Sequence, residues 1–143
     1  MSRLNDDVLV LIVQETARQA EGDHHLTARE AWVKRSHALR CLALVSPTLR
    51  RIAQLELATY IYVTHRNYQT IQEAPLNLLV TKRMLVRAIV RPSSEVHIEE
   101  ILARLLARCL NLEELMVLAS DFWVRVLAPL RRASSSLVCR GVR

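Results

Sequence analysis

The chain has 143 residues, of which 51% are hydrophobic and 4% aromatic, and its formal net charge is +6. This apolar content excludes an intrinsically disordered chain, whose polar composition could not bury enough surface to fold. With only 2 glycines and 4 prolines, the composition favours helices over a loop-rich fold. The length suits one ordinary domain or two very small ones.

The N-terminal region carries the longest uninterrupted apolar run in the chain, Val8–Val13. A membrane-spanning helix needs about 20 apolar residues, so this run is far too short to cross a bilayer. Asp6 and Asp7 precede it, whereas a secretory signal would have basic residues there and a small-residue cleavage site afterwards. We therefore predict an intracellular protein, in the cytoplasm or nucleus, that does not enter the membrane.

Cysteine usage is consistent with that compartment. The three cysteines are an odd number, lie far apart in the sequence and form no C-x-x-C pair. Two of them fall within apolar helical patterns, so buried free thiols in a reducing compartment are favoured over a disulfide. The residues are Cys41, Cys109 and Cys139.

The first part of the chain predicts helices whose starts are marked by capping residues. Asn5 is a good N-cap for a helix over about Asp6–Ala20, and acidic residues occupy its first turn, as the helix dipole favours. After a polar connector, Thr27 and Glu30 form the capping box of a second helix. That helix is predicted to continue to about Val45.

A break at Ser46-Pro47 separates the second helix from a third. Ser46 suits the N-cap, and Pro47 suits the first helical position, where its missing N–H is harmless. The segment before this break and the first two turns of the first helix are apolar on nearly all sides. Helices of this kind must be covered on more than one side. A chain of this length cannot easily supply that cover, so the pattern indicates a partner.

The second half alternates predicted helices with predicted strands. Leu55–Val63 ends either as a short strand or as the end of a helix. The predicted helices are Asn67–Val80, with Pro75 inside it, Glu95 to about Arg108, and about Phe122–Arg132. The predicted strands are Leu85–Val90, a segment within Leu112–Val117, and Leu137–Cys139.

Two of these strands share an apolar spacing. Leu112, Leu115 and Val117 match the L-x-x-L-x-V strand segment of a leucine-rich repeat. Leu85, Ala88 and Val90 occupy the same spacing 27 residues earlier, which is within the usual length of such a repeat. Repeats are therefore favoured over a chance alternation of helix and strand.

No residue pattern indicates catalysis or a cofactor. Two glycines cannot build a G-x-G-x-x-G or a P-loop, and neither G-x-S-x-G nor H-E-x-x-H occurs. His24 and His25 lie in a polar connector with no third ligand suggested nearby, and His97 has ordinary polar neighbours on a predicted helix. We predict a protein that is not an enzyme and that binds neither a metal nor a cofactor.

The positive charges are spread along the chain rather than clustered with aromatic residues. Solvated helix faces explain this pattern better than a nucleic-acid surface does. Nucleic acid is therefore not favoured as a partner, although a basic helical nucleic-acid-binding module remains an alternative because the isoelectric point is about 9.9.

The first third of the sequence resembles an F-box. The resemblance lies in Leu4–Val13, with its acidic start and apolar first helix, and in Leu39–Ala53, which follows the family's L-x-x-L-x-L-V-[CS] run. Asn5 stands where the family has proline, but it retains the capping function. Glu21–Ser36 is longer than the usual link between the first two helices and is treated as an insertion.

The resemblance implies a mainly α protein, with an F-box-like helical unit at about residues 1–66. A helical linker and a small α/β segment resembling leucine-rich repeats would follow over 67–143. An F-box binds a Skp-type adaptor, and through it a cullin–RING ubiquitin ligase, while the repeats would bind an unknown protein substrate. The implied contact and shared-core residues are Leu4, Val8, Leu9, Ile12, Leu39, Leu42, Val45 and Leu49.

A second alternative follows from the same apolar helices. Their outer faces would pair with further copies of the chain, giving a helical homo-oligomer that needs no adaptor. The F-box resemblance favours adaptor binding over this homo-oligomer.

Overall fold

The computed structural model describes residues 5–22, 24–64, 66–73, 75–87, 103–118 and 138–142. The chain divides into two compact units, unit 1 over Met1–Ala58 and unit 2 over Thr59–Arg143. The architecture is mainly helical with a small α/β part, as the sequence predicts. The division falls after Ala58, whereas the sequence analysis placed it after residue 66.

Unit 1 consists of helices that begin where the capping residues predict. Helix α1 spans Asp6–Glu21, α2 spans Ala28–Ala43 and α3 begins at Pro47 and ends at Thr59. The Asn5 side chain accepts a hydrogen bond from the backbone N–H of Asp7, at 3.4 Å. Each helix start is therefore set by local sequence, independently of the packing that follows.

The N-caps of α2 and α3 are likewise formed by residues close in sequence. Thr27 and Glu30 form both hydrogen bonds of the capping box, at 3.2 and 3.0 Å. Ser46 Oγ accepts from the backbone N–H of Leu49 at 3.1 Å, and Pro47 takes the first helical position as expected. The predicted insertion at 21–36 is thus a short connector followed by the first two turns of α2.

The core of unit 1 joins all three helices. Its buried residues come from α1, α2 and α3, so none of the helices could bury its apolar side alone. They are Val13, Ala17, Leu39, Ile52 and Ala53. Half-buried apolar side chains surround this cluster, among them Leu9, Leu42 and Leu49.

A buried ion pair links α2 to α3. The guanidinium of Arg35 is almost completely enclosed and donates to the Glu56 carboxylate at 3.0 Å and to the Glu56 backbone carbonyl at 2.7 Å. A charge removed from water needs such partners, because an isolated buried ion is very unfavourable. The pair therefore fixes how α3 returns along α2.

Unit 2 contains a parallel sheet with strands in sequential order. Strand β1 is Tyr60–Thr64, β2 is Arg83–Arg87, β3 is Glu114–Leu118 and β4 is Val138–Val142. Parallel neighbours require crossover connections, which usually contain helices. Between β1 and β2 the crossover contains α4 (Tyr68–Glu73) and α5 (Pro75–Val80), and residues 103–108 are helical before β3.

Pro75 divides the helix that the sequence predicted over Asn67–Val80. It is the first residue of α5, the position where its fixed φ and missing N–H are tolerated. Leu55–Val63, left open by the sequence, contains the end of α3 and the start of β1. The predicted helix Phe122–Arg132 and residues 95–102 of the preceding one lie outside the described residues.

The predicted repeat spacing of 27 residues is wrong. Leu85 pairs with Met116, not with Leu112, so β2 and β3 are 31 residues apart. Residue Leu112 instead precedes β3 in the position that Thr81 holds before β2. The predicted strand also began too late, since β2 starts at Arg83, and Ala88 and Val90 lie outside the described residues.

The physical reason is the residue that matches Leu112, since Thr81 is buried but polar and an apolar spacing does not recognise it. Alternate side chains of a strand point to opposite faces. Met84 and Val86 belong to the apolar core cluster of unit 2, together with Leu115 and Val117 from β3. Leu85 lies between them and faces the other way. Starting the pattern at Leu85 instead of Thr81 therefore placed it four residues too late along the chain.

The core of unit 2 also encloses Cys109, which is 4% exposed. The charged thiolate is poorly solvated at this site, so burial raises the pKa of the Cys109 thiol to about 11, opposed by the nearby Arg108 charge. The neutral thiol therefore behaves as a small apolar side chain.

We predict that Cys109 makes unit 2 less stable at alkaline pH. The unfolded thiol ionises near pH 9.0 and the folded one near 11, so its contribution is complete below pH 9 and is lost as the pH rises towards 11. The loss should be about 2 kcal/mol, measured by urea unfolding at several pH values. A Cys109→Ala variant should lack this component of the decline in the free energy of unfolding. Equal declines in both proteins would contradict the raised pKa of the Cys109 thiol.

We further predict that Glu56→Ala lowers the free energy of unfolding of unit 1 by about 3 kcal/mol, because it leaves the Arg35 guanidinium buried without its carboxylate. Replacing the charge itself, in Arg35→Met, should have a smaller effect, because the half-exposed end of Glu56 can be hydrated. Urea unfolding followed by circular dichroism measures both.

The control is Glu15→Ala, which removes the exposed Arg18–Glu15 pair on α1 and should leave the unfolding midpoint unchanged. A Glu56→Ala protein as stable as this control would show that the buried pair does not hold α3 in place.

Candidate partner-binding surface

Helix α1 has two apolar faces in its first half. Val13 and Ala17 are buried on one side, with Leu9 half-buried beside them. On the other side Val8, Leu11 and Ile12 are 41%, 63% and 44% exposed, at the i, i+3, i+4 spacing of one helix face. The sequence predicts that this helix is covered on two sides. Unit 1 itself buries the side that carries Val13 and Ala17.

The turn between α2 and α3 is the second exposed apolar feature of unit 1. Leu44 and Val45 are 80% and 69% exposed, although both are large aliphatic residues that are usually buried. The backbone around them is fixed: the N–H groups of Leu44 and Val45 donate to the carbonyls of Cys41 and Leu42. These side chains are therefore presented to solvent by an ordered turn.

Both features lie at the same end of unit 1. Arg51, in the second turn of α3, pairs with Asp6 in the first turn of α1 at 3.2 Å. Arg50 Nε donates to the carbonyl of Ala43, the last residue of α2, at 3.2 Å. These contacts bring the start of α1 to the α2–α3 turn. We refer to Val8, Leu11, Ile12, Leu44 and Val45 as the apolar end of unit 1.

The residues predicted from the sequence to contact a partner fall into three groups. Val8, Ile12 and Val45 belong to the apolar end. Leu9, Leu42 and Leu49 are half-buried against the core, and Leu39 is completely enclosed. Leu4 lies outside the described residues.

Two exposed residues were missing from the predicted set, Leu11 and Leu44. Leu11 lies three residues after Val8 and one before Ile12, so the helical period places it on their face. That spacing was sufficient to identify it. Leu44 follows the last residue of α2, and its exposure depends on where the helix ends.

One face of the unit 2 sheet packs against the core cluster. On the other face, rows of polar and of apolar side chains run across the strands. Tyr60, Arg83 and Glu114 are neighbours in register. The Arg83 guanidinium lies 4.1 Å from the centre of the Tyr60 ring, and its Nε is 3.2 Å from the Glu114 carboxylate. Cross-strand pairs of this kind stabilise the register of neighbouring strands.

The exposure of the cysteines differs from the prediction that these thiols are buried. Cys109 is buried and free, but Cys41 is exposed on the outer side of α2, with its sulfur 3.7 Å from His37 Nε2. The helix buries a different stripe, through Arg35, Ser36 and Leu39. Cys41 lies two residues after Leu39, about half a turn around the helix, and therefore faces solvent. The side chain of Cys139 is outside the described part of the structure.

Two further features concern ligands and membranes. Among the described residues, no group of three or more His, Cys, Asp or Glu side chains is placed to hold a metal ion. None of the helices in the described ranges combines the length and apolar character needed to cross a bilayer.

No protein-family model, curated protein or solved structure matches this chain. The interpretation of its surfaces therefore depends on the geometry and chemistry of its own residues.

We predict that substitution is tolerated at the apolar end and not in the core behind it. Val45→Asp should leave the free energy of unfolding within about 0.5 kcal/mol of the wild type, as exposed substitutions usually do. Leu39→Ala should lower it by about 3 kcal/mol, because it opens a cavity in the core of unit 1. Urea unfolding distinguishes the two, and a Val45→Asp protein that unfolds as easily as Leu39→Ala would show that the turn is internal core.

Proposed function

We propose that this protein is a non-catalytic, substrate-recruiting adaptor of a Skp–cullin–F-box ubiquitin ligase. Unit 1 binds the Skp-type adaptor protein through its apolar end, and unit 2 binds the protein to be ubiquitinated. The observation that supports this most strongly is α1, which uses one apolar face for the core and leaves Val8, Leu11 and Ile12 exposed on the other.

The exposed residues favour a protein partner for a physical reason. Single exposed apolar residues are normal, but several large ones at one end of a small helical unit are typical of an interaction site. The neighbouring ion pair of Arg51 and Asp6 would lie at the edge of such a contact, where polar groups usually occur. The F-box resemblance covers these same segments of α1, α2 and α3.

Unit 2 supports the second part of the proposal. Its strands follow one another in the sheet in sequence order, and the intervening chain includes helices, an arrangement compatible with a leucine-rich-repeat solenoid. Solenoids of this kind present extended surfaces to protein partners. The substrate would bind on the strands and loops of this unit.

The mechanism is recruitment. The adaptor holds the cullin-based ligase at unit 1 while the substrate is held at unit 2, so a substrate lysine experiences a high effective concentration of the ubiquitin-loaded enzyme. No side chain of this chain takes part in bond formation, and no cofactor is needed. Such a protein would work in the cytoplasm or nucleus, where cullin-based ligases act.

The test is co-purification of the full chain with a Skp-type adaptor. Wild-type protein should form a stable complex, and Val45→Asp and Leu11→Asp should each weaken it at least tenfold, because binding would bury an unpaired carboxylate. Both sites are exposed in the free protein, so folding is preserved. Substitutions at the half-buried Leu9 or Leu42 would be less informative because they also disturb the core.

The matched control is Val33→Asp. Val33 is 48% exposed but lies ten residues before the end of α2, away from the apolar end, and this variant should bind like the wild type. Equal binding by all three variants would contradict the proposed interface. A stable homodimer by light scattering that ignores the adaptor would favour the homo-oligomer instead, and binding to nucleic acid that weakens steeply with salt would favour the nucleic-acid module.

A further inference from the structure

The charge of the protein is unevenly divided between its two units. Unit 2 carries 12 of the 20 lysine and arginine residues but 7 of the 14 aspartate and glutamate residues. Most of the net positive charge therefore belongs to the unit that, under the proposed function, binds the substrate. This imbalance favours a negatively charged ligand there.

Among the described residues, the two ends of the sheet differ in charge. At the amino ends of the strands, Lys82 and Arg83 lie beside Glu113 and Glu114, and Arg83 pairs with Glu114. Opposite charges therefore balance at that end. Four residues further along β2, at its carboxyl end, stands the exposed side chain of Arg87, about 13 Å from the start of the strand.

A second arginine is held at the same end by an ordered turn. Strand β1 ends at Thr64, which is the register partner of Arg87, and the exposed Arg66 follows two residues later. Asn67 closes this turn: its Oδ1 accepts from the Thr64 N–H at 2.7 Å, and its Nδ2 donates to the Tyr62 carbonyl at 2.8 Å. The Arg66 N–H also donates to Thr64 Oγ1 at 3.3 Å.

Both arginine residues are exposed. Among the described residues, no carboxylate lies within salt-bridge distance of Arg66 or Arg87. They project from neighbouring strand ends, and strands are about 4.8 Å apart. Long arginine side chains on such a frame can reach carboxylates that are separated by about 7 Å, the spacing of alternate residues in an extended peptide.

We infer that the carboxyl end of the unit 2 sheet binds an acidic peptide segment of the recruited protein, with Arg66 and Arg87 as its carboxylate ligands. Guanidinium groups bind carboxylates through two parallel hydrogen bonds, which gives geometric selectivity as well as attraction. The Asn67 turn holds the backbone of Arg66 in place before binding, which reduces the entropy lost on association. This inference rests on the proposed function, which assigns substrate binding to unit 2.

A peptide fits this site better than a nucleic acid does. Proteins that bind single-stranded nucleic acid usually stack bases on exposed aromatic rings. The described aromatic residues of unit 2 are not exposed in this way: Tyr60 is buried, and Tyr62 and Tyr68 are half-buried. Within the described residues, the site therefore offers charge and hydrogen-bond donors without a stacking surface.

The experiment measures fluorescence anisotropy of a labelled oligoglutamate peptide titrated with the full-length protein. We expect saturable binding, while an oligoglutamine peptide of the same length does not bind. Arg66→Gln and Arg87→Gln should each weaken binding roughly fivefold, and the double variant more. Arg104→Gln is the control, since it removes the same charge from an exposed position of the helical segment 103–108 and should change the affinity less than twofold.

Three results would overturn the inference. They are equal affinity of the double variant and the wild type, an effect of Arg104→Gln as large as that of Arg87→Gln, and tighter binding of a single-stranded oligonucleotide that depends on the same two arginines.

Adaptor co-purification is measured on the same preparations. Loss of peptide binding with intact adaptor binding would leave the proposed function standing, whereas peptide binding without adaptor binding would reject the proposed function and keep an acidic-peptide site.

Discussion

The first helix imposes the constraint on which the organisation of unit 1 depends. Its opening turns are apolar around most of their circumference, and a single helix cannot bury two opposite faces against one neighbour. The core formed with Leu39, Ile52 and Ala53 covers one face. The start of the helix is fixed to α3 by the pair of Asp6 and Arg51, so the second face is held at a defined place on the surface.

The polar links of unit 1 give this arrangement its specificity. Apolar packing alone is non-directional and would tolerate several placements of α3. Arg35 removes that freedom, because its buried guanidinium must meet both the carboxylate and the backbone carbonyl of Glu56. An exposed apolar surface then follows from core requirements, since the ordered α2–α3 turn leaves Leu44 and Val45 outside.

Local features of the fold could be predicted from the sequence, and features that depend on distant residues could not. Asn5, Thr27 and Ser46 begin helices because each bonds to backbone only a few residues away. The strand register failed at Leu85, because β2 contains three consecutive buried apolar residues, Met84–Val86, and only the pairing with β3 shows that Thr81 matches Leu112. Along α1 the helical period was sufficient to find Leu11, whereas the exposure of Leu44 depends on the residue at which α2 ends.

The sequential order of the strands has a consequence for how this architecture can change. The first residues of β1 and β2 are 23 positions apart, and those of β2 and β3 are 31 apart, yet both pairs keep the same register. Each connection can thus gain or lose residues without disturbing the pairing of its strands, because the added length is accommodated in the crossover and not in the strands. Natural variation in length should therefore accumulate in these crossovers, leaving the strands themselves constant in number of residues.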